Sequence, residues 1–332
     1  MIIKFDEQAQ IDSVQGALAL RPQIEEIVNK ICAEGYKNIC WLGIGGTWAS
    51  CLQAEVHMKE MSSLNFFVEN AAEYIATGNN RIGEGTIVII SSVTGSTIEM
   101  VDGVKKAQAA GAKVFGFIDK ETAALAGMVD WCISYPANEQ LKFFMVADCF
   151  MKNAGEFEDY DAFYAEMDQY LAKGLVEVEK AADEYGKAYA ERHCEDPIHY
   201  FVGAGNQYGA TYSYAMCYWE EQHWIRTKSI HSAEFFHGML EIVEDLYIDL
   251  VIRTMKFKKF SKTVREIIAL SKFEDRLVHL LAKPDYSLTD ELRSPLARAD
   301  KPWSNVSGDI YRCIIIYIER DIIMSLKKRS RA

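Results

Sequence analysis

The sequence contains no uninterrupted apolar run long enough to span a membrane, and its first residues, Met1 to Asp6, include no apolar signal segment. It also lacks C-x-x-C pairs and the H-E-x-x-H spacing of zinc enzymes, although it has 8 cysteines and 7 histidines. Most of the cysteines lie in apolar segments, which is typical of reduced core residues. We therefore expect a cytoplasmic protein with neither a disulfide framework nor a metal site.

An excess of positive charge is also absent. The chain has 36 Lys and Arg against 48 Asp and Glu, a net charge of −12, which argues against nucleic acid as a partner because the phosphates would be repelled. An anionic small molecule remains compatible, since a local pocket can oppose the overall field. With 332 residues, 49% of them hydrophobic and 25% charged, the chain is expected to form two globular domains of ordinary size.

The most informative segment is 87–97, with the sequence IVIISSVTGST. Its first four residues are β-branched and apolar, which predicts a buried parallel strand, and the amphipathic stretch 98–110 predicts a helix. The turn between them brings hydroxyls and unpaired backbone N–H groups to a helix N-terminus, a favourable place for a phosphate dianion. Taken alone, a Ser/Thr-rich N-cap without a ligand fits equally well. No Lys follows Gly95 as in a Walker loop, which argues against a nucleoside triphosphate.

Other predicted strands alternate with helices through the first half, at 37–42, 64–68, 84–92, 113–118 and 131–135. This alternation is typical of a doubly wound parallel sheet. The first strand ends in Gly43-Ile44-Gly45-Gly46-Thr47, where the glycines let the backbone approach a ligand closely. The full G-x-G-x-x-G spacing and an acidic ribose anchor are both missing, so we expect no nicotinamide cofactor.

The second half begins with a helical, Pro-free stretch over 157–193, which predicts a pair of long helices. A strand, a Gly-x-Gly turn at 203–205 and a helix from 210 to about 223 then repeat the earlier arrangement and indicate an internal duplication. We predict a first domain over 1–150, a helical linker over 151–195 and a second domain over 196–332. Alternation fades after 245, where only 246–252 and 313–318 suggest strands.

Together these features resemble the sugar isomerase (SIS) domain family in a tandem arrangement. The resemblance rests on the Gly-rich turn 43–47, the hydroxyl loop 92–97, the G-x-G-x-x-Y turn 203–208 and an E-x₁₂-E-F-F-H-G segment ending at Gly238. It covers roughly residues 30–244 and is strongest to the fructoselysine-6-phosphate deglycase branch, with similarity also to the isomerase half of glucosamine-6-phosphate synthase. It implies two α/β domains in tandem, each a doubly wound, flavodoxin-like parallel sheet in three αβα layers.

The resemblance also implies which residues act. The family's catalytic Glu matches Glu221 and its catalytic His matches His237, which in the family commonly reaches the active site of the other subunit in a homodimer. No cofactor or metal takes part, and the ligand is a small sugar phosphate rather than a nucleic acid or a membrane. The implied substrate-binding residues are Gly45, Gly46, Thr47, Ser92, Thr94, Ser96, Thr97, His231 and Glu234.

Reasoning from the residues leaves three assignments open. Glu220 rivals Glu221 as the base on spacing alone. His231 fits either an interior histidine or a partner of Glu234, with the structural role slightly preferred. Glu234 in turn fits either a residue that orients the His237 imidazole or a helix cap.

The predicted function is a deglycase that cleaves a 6-phosphorylated Amadori compound to glucose 6-phosphate and a free amine. A buried carboxylate and a histidine both titrate near neutrality, so Glu221 and His237 suit this acid–base chemistry. Tyr218 stands where synthase-like isomerases carry a Lys, and no glutaminase domain is fused, which disfavours glucosamine-6-phosphate synthesis. The segment 245–332 departs from the family pattern. The alternatives are an aldose/ketose or amino-sugar phosphate isomerase, and a non-catalytic sugar-phosphate sensor.

Overall fold

A computed structural model describes residues 6–193, 198–203, 205, 207–231, 233–237, 239 and 248–251. The chain divides into two compact units. One unit comprises residues 12–164, and the other comprises residues 6–11 together with the described residues from 165 onward. The predicted domain boundaries at 150 and 196 remain predictions.

The unit formed by residues 12–164 is built on a five-stranded parallel sheet with the strand order β2-β1-β3-β4-β5. Its strands are β1 (Asn38–Gly43), β2 (Phe66–Asn70), β3 (Thr86–Ser92), β4 (Lys113–Ile118) and β5 (Trp131–Ile133). β1 and β3 are buried along their whole length, because each has a strand on both sides and helices on both faces. The prediction of a parallel α/β sheet is therefore confirmed.

Helices cover both faces of this sheet. They are α1 (Glu7–Leu18), α2 (Arg21–Glu34), α3 (Gly46–Met61), α4 (Ala71–Thr77), α5 (Ile98–Ala109) and α6 (Glu139–Asn153), and a 3₁₀ turn spans Ala124–Gly127. On one face the side chains of Leu42 and Ile90 pack with α4 and α5. On the opposite face Trp41 and Phe117 pack against Phe143 of α6, because alternate strand residues point to opposite sides.

Two charged groups are buried within α6. Asp148 is 0% exposed and accepts a hydrogen bond from the Tyr164 hydroxyl at 2.6 Å, while His57 Nε2 lies 2.5 Å from its other oxygen. Lys142, only 1% exposed, donates to the carbonyl of Tyr135 at 2.7 Å. These partners compensate for the removal of each charge from water.

A single helix, α7 (Tyr160–His193), occupies most of the stretch for which two helices were predicted, so that prediction was wrong. The stretch lacks proline, and the helix runs for 34 residues without a break. No helix in the described part of the chain is both long enough and apolar enough to cross a membrane.

Among its described residues, the second unit contains a three-stranded parallel sheet with the order β7-β6-β8. Its strands are β6 (Ile198–Gly203), β7 (Arg226–His231) and β8 (Ile248–Val251), the last of which lies within the predicted strand 246–252. The helical segment after β6 is divided into α8 (Gln207–Ser213), a π-helix (Tyr214–Glu220) and α9 (Glu221–His223). The strand predicted at 313–318 lies outside the described residues.

Candidate functional site

The hydroxyl loop joins β3 to α5 and is shaped by its own side chains. Ser92, which is buried at the end of β3, accepts the Gly95 N–H at Oγ over 3.0 Å. Its carbonyl accepts the N–H of Asp119, at the end of the neighbouring strand β4, over 3.2 Å. Because the Ser92 hydroxyl oxygen accepts the Gly95 N–H, the hydroxyl proton is left for donation to an oxygen of a ligand.

The other hydroxyls of the loop lie closer to solvent. Thr94 and Ser96 are exposed and Thr97 is half-buried. Thr94 Oγ1 accepts the Ser96 N–H at 3.3 Å and lies 3.4 Å from Thr97 Oγ1, so these residues form one compact cluster. Thr97 precedes α5 and makes no side-chain capping bond to it. The cluster therefore lies at a helix N-terminus whose first N–H groups are not capped by Thr97, as anion binding requires.

Gly95 fixes the loop against β4. Its φ of +62° is in the left-handed region, and its carbonyl accepts the Leu125 N–H at 3.1 Å. A Cβ at this position would collide with the Cβ of Ala123 and lie 2.8 Å from Ile118 Cγ2. Glycine is required here for both conformation and space.

The Gly-rich turn between β1 and α3 lies at the same edge of the sheet, because β1 pairs in parallel with β3. Gly45 has a φ of +59°, and α3 begins at Gly46 without a side-chain cap at its N-terminus. Thr47 donates a hydrogen bond to Glu139 Oε2, at the start of α6, over 3.3 Å. The structure thus brings two uncapped helix N-termini and their predicted ligand-binding residues to one edge of this sheet.

Sequence reasoning missed a buried ion pair at that edge. Lys142 Nζ lies 3.4 Å from the carboxylate of Asp119, which directly follows β4. Burial lowers the pKa of the Lys142 ammonium, and the charge of Asp119 opposes this shift. An acidic residue immediately after a predicted strand was the signal available for Asp119, since ligands of parallel sheets bind at the carboxyl ends of the strands.

In the second unit, Glu220 is the last residue of the π-helix and Glu221 comes directly after it, and both are exposed. Glu220 accepts a hydrogen bond from the Thr227 hydroxyl of β7 at 2.5 Å. Glu221 follows as the first residue of α9. The burial expected for the catalytic carboxylate is therefore not provided by the described part of this chain. The π-helix, a feature frequent at functional sites, was not predicted.

A short turn carries the remaining predicted residues. The Glu234 N–H donates to the His231 carbonyl at 2.9 Å, and the His237 N–H donates to the Glu234 carbonyl at 3.0 Å. Burial lowers the pKa of His231, while Glu234 opposes the shift. His237 and Glu234 are exposed, and within the described residues no hydrogen bond or ion pair joins Glu221 to His237. Nor do three or more His, Cys, Asp or Glu side chains cluster as a metal site in the described ranges.

The sheet, the hydroxyl loop and the Gly-rich turn of the first unit lie in a part of the chain that matches a family model. Residues 35–150 match the family model described as the SIS domain. This part of the chain is similar to SIS domains. Among curated proteins, fructosamine deglycase FrlB of Bacillus subtilis is 25% identical over 243 residues, which cover 70% of this chain and 73% of FrlB. The predicted resemblance to SIS domains and to a deglycase is confirmed, and the tandem arrangement remains a prediction.

Several solved structures are similar to this one in fold. A candidate phosphosugar isomerase from Salmonella typhimurium has a TM-score of 0.77 at 17% identity, with 92% of each chain covered. The C-terminal domain of glucosamine-fructose-6-phosphate aminotransferase from Francisella tularensis has a TM-score of 0.64 at 14% identity, covering 96% of this chain and 92% of that one.

Tagatose-6-phosphate ketose/aldose isomerase from Escherichia coli has a TM-score of 0.63 at 14% identity, with 97% of this chain and 91% of that one covered. At these identities the structural similarity establishes the fold. The chain is thus similar in sequence to a deglycase and in fold to phosphosugar isomerases, which are enzymes.

Proposed function

We propose that this protein is a deglycase that hydrolyses a 6-phosphorylated Amadori compound, a fructosamine 6-phosphate, to glucose 6-phosphate and a free amine. The observation that supports the proposal most strongly is the 25% identity to fructosamine deglycase FrlB over 243 residues. We further propose that the second unit is a second SIS domain. Its central parallel strand β6 ends at Gly203, as β1 of the first domain ends at Gly43.

The hydroxyl loop is proposed to bind the sugar phosphate. Ser92, Thr94, Ser96 and Thr97 offer hydroxyl donors, and the N-terminus of α5 adds backbone N–H groups and the positive end of a helix dipole. The turn from Gly45 to Thr47 adds a second uncapped helix N-terminus at the same edge. This arrangement binds a dianion without requiring a lysine within the loop.

The chemistry requires one base and one acid. The open-chain substrate has a C2 carbonyl and a C1 carbon that bears the amine. Removal of a C1 proton with protonation of the C2 oxygen gives an enaminol. Protonation at C2 gives a C1 iminium ion that keeps the C2 hydroxyl, and loss of its N–H proton gives the C1 imine. Water then adds to C1, and the amine leaves with a proton, which yields the aldehyde of glucose 6-phosphate. The net reaction consumes one water molecule.

Glu221 is proposed to move the proton from C1 to C2, and His237 is proposed to open the sugar ring or polarise the carbonyl. The geometry favours Glu221 over Glu220, because the Glu220 carboxylate accepts the Thr227 hydroxyl of β7. Both carboxylates are exposed, and the bond to Thr227 gives the Glu220 side chain a structural role.

We propose that the working unit is a cytoplasmic homodimer in which His237 serves the active site of the other subunit. Two inactive variants, Glu221→Gln and His237→Asn, test this when they are mixed and allowed to exchange subunits. A shared site regains about a quarter of the wild-type activity, since half of the dimers are mixed and each mixed dimer has one intact site. A site built from a single chain regains none.

The experiment that tests the function is a coupled assay for glucose 6-phosphate, with 6-phosphofructosyl-lysine, -asparagine and -glutamate offered in parallel. Release from any one of these conjugates supports a deglycase and identifies the amine. No release from all three, together with interconversion of ketose and aldose phosphates, would contradict the proposal in favour of an isomerase. Binding of fructose 6-phosphate without turnover of any sugar would contradict it in favour of a sensor.

A further inference from the structure

His231 occupies a position at which parallel sheets bind ligands. It is the last residue of β7 and pairs with Gly203, the last residue of the central strand β6. Both residues therefore lie at the carboxyl edge of the second sheet, where the helix that follows β6 begins. The imidazole is partly buried at this edge.

Two contacts hold the ring in one orientation. The Tyr208 ring of α8 meets it edge to face, with the ring centroids 5.2 Å apart. The backbone N–H of Ala233 donates a hydrogen bond to His231 Nδ1 over 3.1 Å. Since a backbone N–H is only a donor, Nδ1 is the acceptor, and the proton of the neutral ring is carried by Nε2.

The surroundings also favour the neutral ring. Burial lowers the pKa of His231, and the only opposing contribution resolved for this group comes from Glu234 in the following turn. Protonation of Nδ1 would in addition remove the acceptor of the Ala233 N–H. His231 is thus held as a neutral imidazole with its N–H on the nitrogen opposite the turn, which differs from the exposed position of His237.

We propose that His231 binds the substrate through its Nε2–H, as a fixed neutral donor to a sugar hydroxyl or carbonyl oxygen, and takes no part in proton transfer. This role rests on the proposed function, since it assumes a sugar phosphate as the ligand. A neutral donor suits an uncharged oxygen of the sugar rather than its phosphate. In this proposal, Nδ1 of His231 accepts the hydrogen bond within the turn, and the Nε2–H donates to the ligand.

Two substitutions distinguish the roles of Nδ1 and Nε2. His231→Asn retains an oxygen near the position of Nδ1, which can accept the Ala233 N–H as in an Asx turn, and removes the Nε2 donor. His231→Gln carries an amide N–H near the position of Nε2 and loses the Nδ1 acceptor. The Asn variant is expected to retain the wild-type melting temperature and to bind fructose 6-phosphate roughly tenfold more weakly, the effect of one lost neutral hydrogen bond.

The Gln variant is expected to bind within about threefold of wild type, with a lower melting temperature because the turn loses its acceptor. In turnover of the cleaved conjugate, the Asn variant should raise KM and leave the shape of the pH profile of kcat unchanged. Wild-type binding and KM in the Asn variant would overturn the role of His231. So would an imidazole ¹⁵N spectrum of the wild-type protein that places the proton on Nδ1.

Calorimetry with fructose 6-phosphate separates a failure of this role from a failure of the proposed function, because binding does not require turnover. If the wild type binds fructose 6-phosphate but cleaves no Amadori conjugate, and His231→Asn weakens binding, the deglycase function fails and the role of His231 stands. If the wild type cleaves a conjugate while the Asn variant behaves like wild type, only the role of His231 fails. Loss of both binding and cleavage in the wild type refutes both.

Discussion

Replacement of Gly95 by alanine should destabilise the first domain by an amount that follows from two observations. A non-glycine residue in the left-handed region costs about 1–2 kcal/mol, and Gly95 has a φ of +62°. The added Cβ would also collide with Ala123 and crowd Ile118, and such overpacking costs about 1–3 kcal/mol. Once the reduced entropy of the unfolded chain is included, they predict a loss of about 2–4 kcal/mol in the free energy of unfolding of this domain.

Gly155 provides the matched control. It lies in the same unit, its φ is +72°, and a Cβ there would meet no atom within 4 Å. Gly155→Ala should therefore show only the conformational cost, about 1 kcal/mol once the reduced entropy of the unfolded chain is included. The difference between the two variants isolates the cost of the collision at Gly95, and so measures how closely the hydroxyl loop packs on Ala123 and Ile118.

Hydrogen exchange across a urea series, read at the amides of β3 and β4, measures the unfolding free energy of this domain in the full chain. Gly95→Ala should also weaken binding of fructose 6-phosphate, because the collision displaces the loop, while Gly155→Ala should leave binding unchanged. If Gly95→Ala destabilises the domain no more than Gly155→Ala does, the packing attributed to this loop is refuted.

Two further stability predictions concern buried charges. Lys142→Met should lower the unfolding free energy by about 3–5 kcal/mol, because it leaves the Asp119 carboxylate without its partner. As a control, Lys113→Met removes an exposed ion pair and should be close to wild type in the same urea titration. Equal effects of the two would contradict the burial of Lys142. Tyr164→Phe should cost about 1.5–3 kcal/mol because it removes a hydrogen bond to the buried Asp148 carboxylate, and Tyr160→Phe, whose hydroxyl bonds a partly exposed carboxylate, should cost less. A larger loss of stability in Tyr160→Phe than in Tyr164→Phe would contradict the hydrogen bond assigned to Tyr164 and Asp148.

Much of the first domain could be predicted because its central strands are buried on both faces. β3 reads as a continuous apolar run in the sequence, and β4 was predicted with its observed bounds, Lys113–Ile118. The hydroxyl loop followed from its position between a predicted strand and a predicted helix. Its location at a helix N-terminus is determined by this local order, so sequence pattern alone was sufficient.

Other features depend on tertiary contacts that leave no local pattern. β7 has the sequence RTKSIH and lies at the edge of its sheet, so it shows no apolar run and was not predicted. The π-helix Tyr214–Glu220 differs from an α-helix only in its hydrogen-bond register, which composition does not encode. Lys142 is buried by packing against strands far from it in sequence, and the tautomer of His231 depends on a single backbone N–H.

The central claim is that Glu221 carries the proton transfer of an Amadori-phosphate deglycase. The most direct test is the rate of glucose 6-phosphate release from 6-phosphofructosyl conjugates by the full-length wild type, by Glu221→Gln and by Glu220→Gln. We expect release from a conjugate by the wild type, a loss of at least about 100-fold in Glu221→Gln and near-wild-type turnover in Glu220→Gln. Wild-type turnover by Glu221→Gln, or no release by the wild type, would contradict the account.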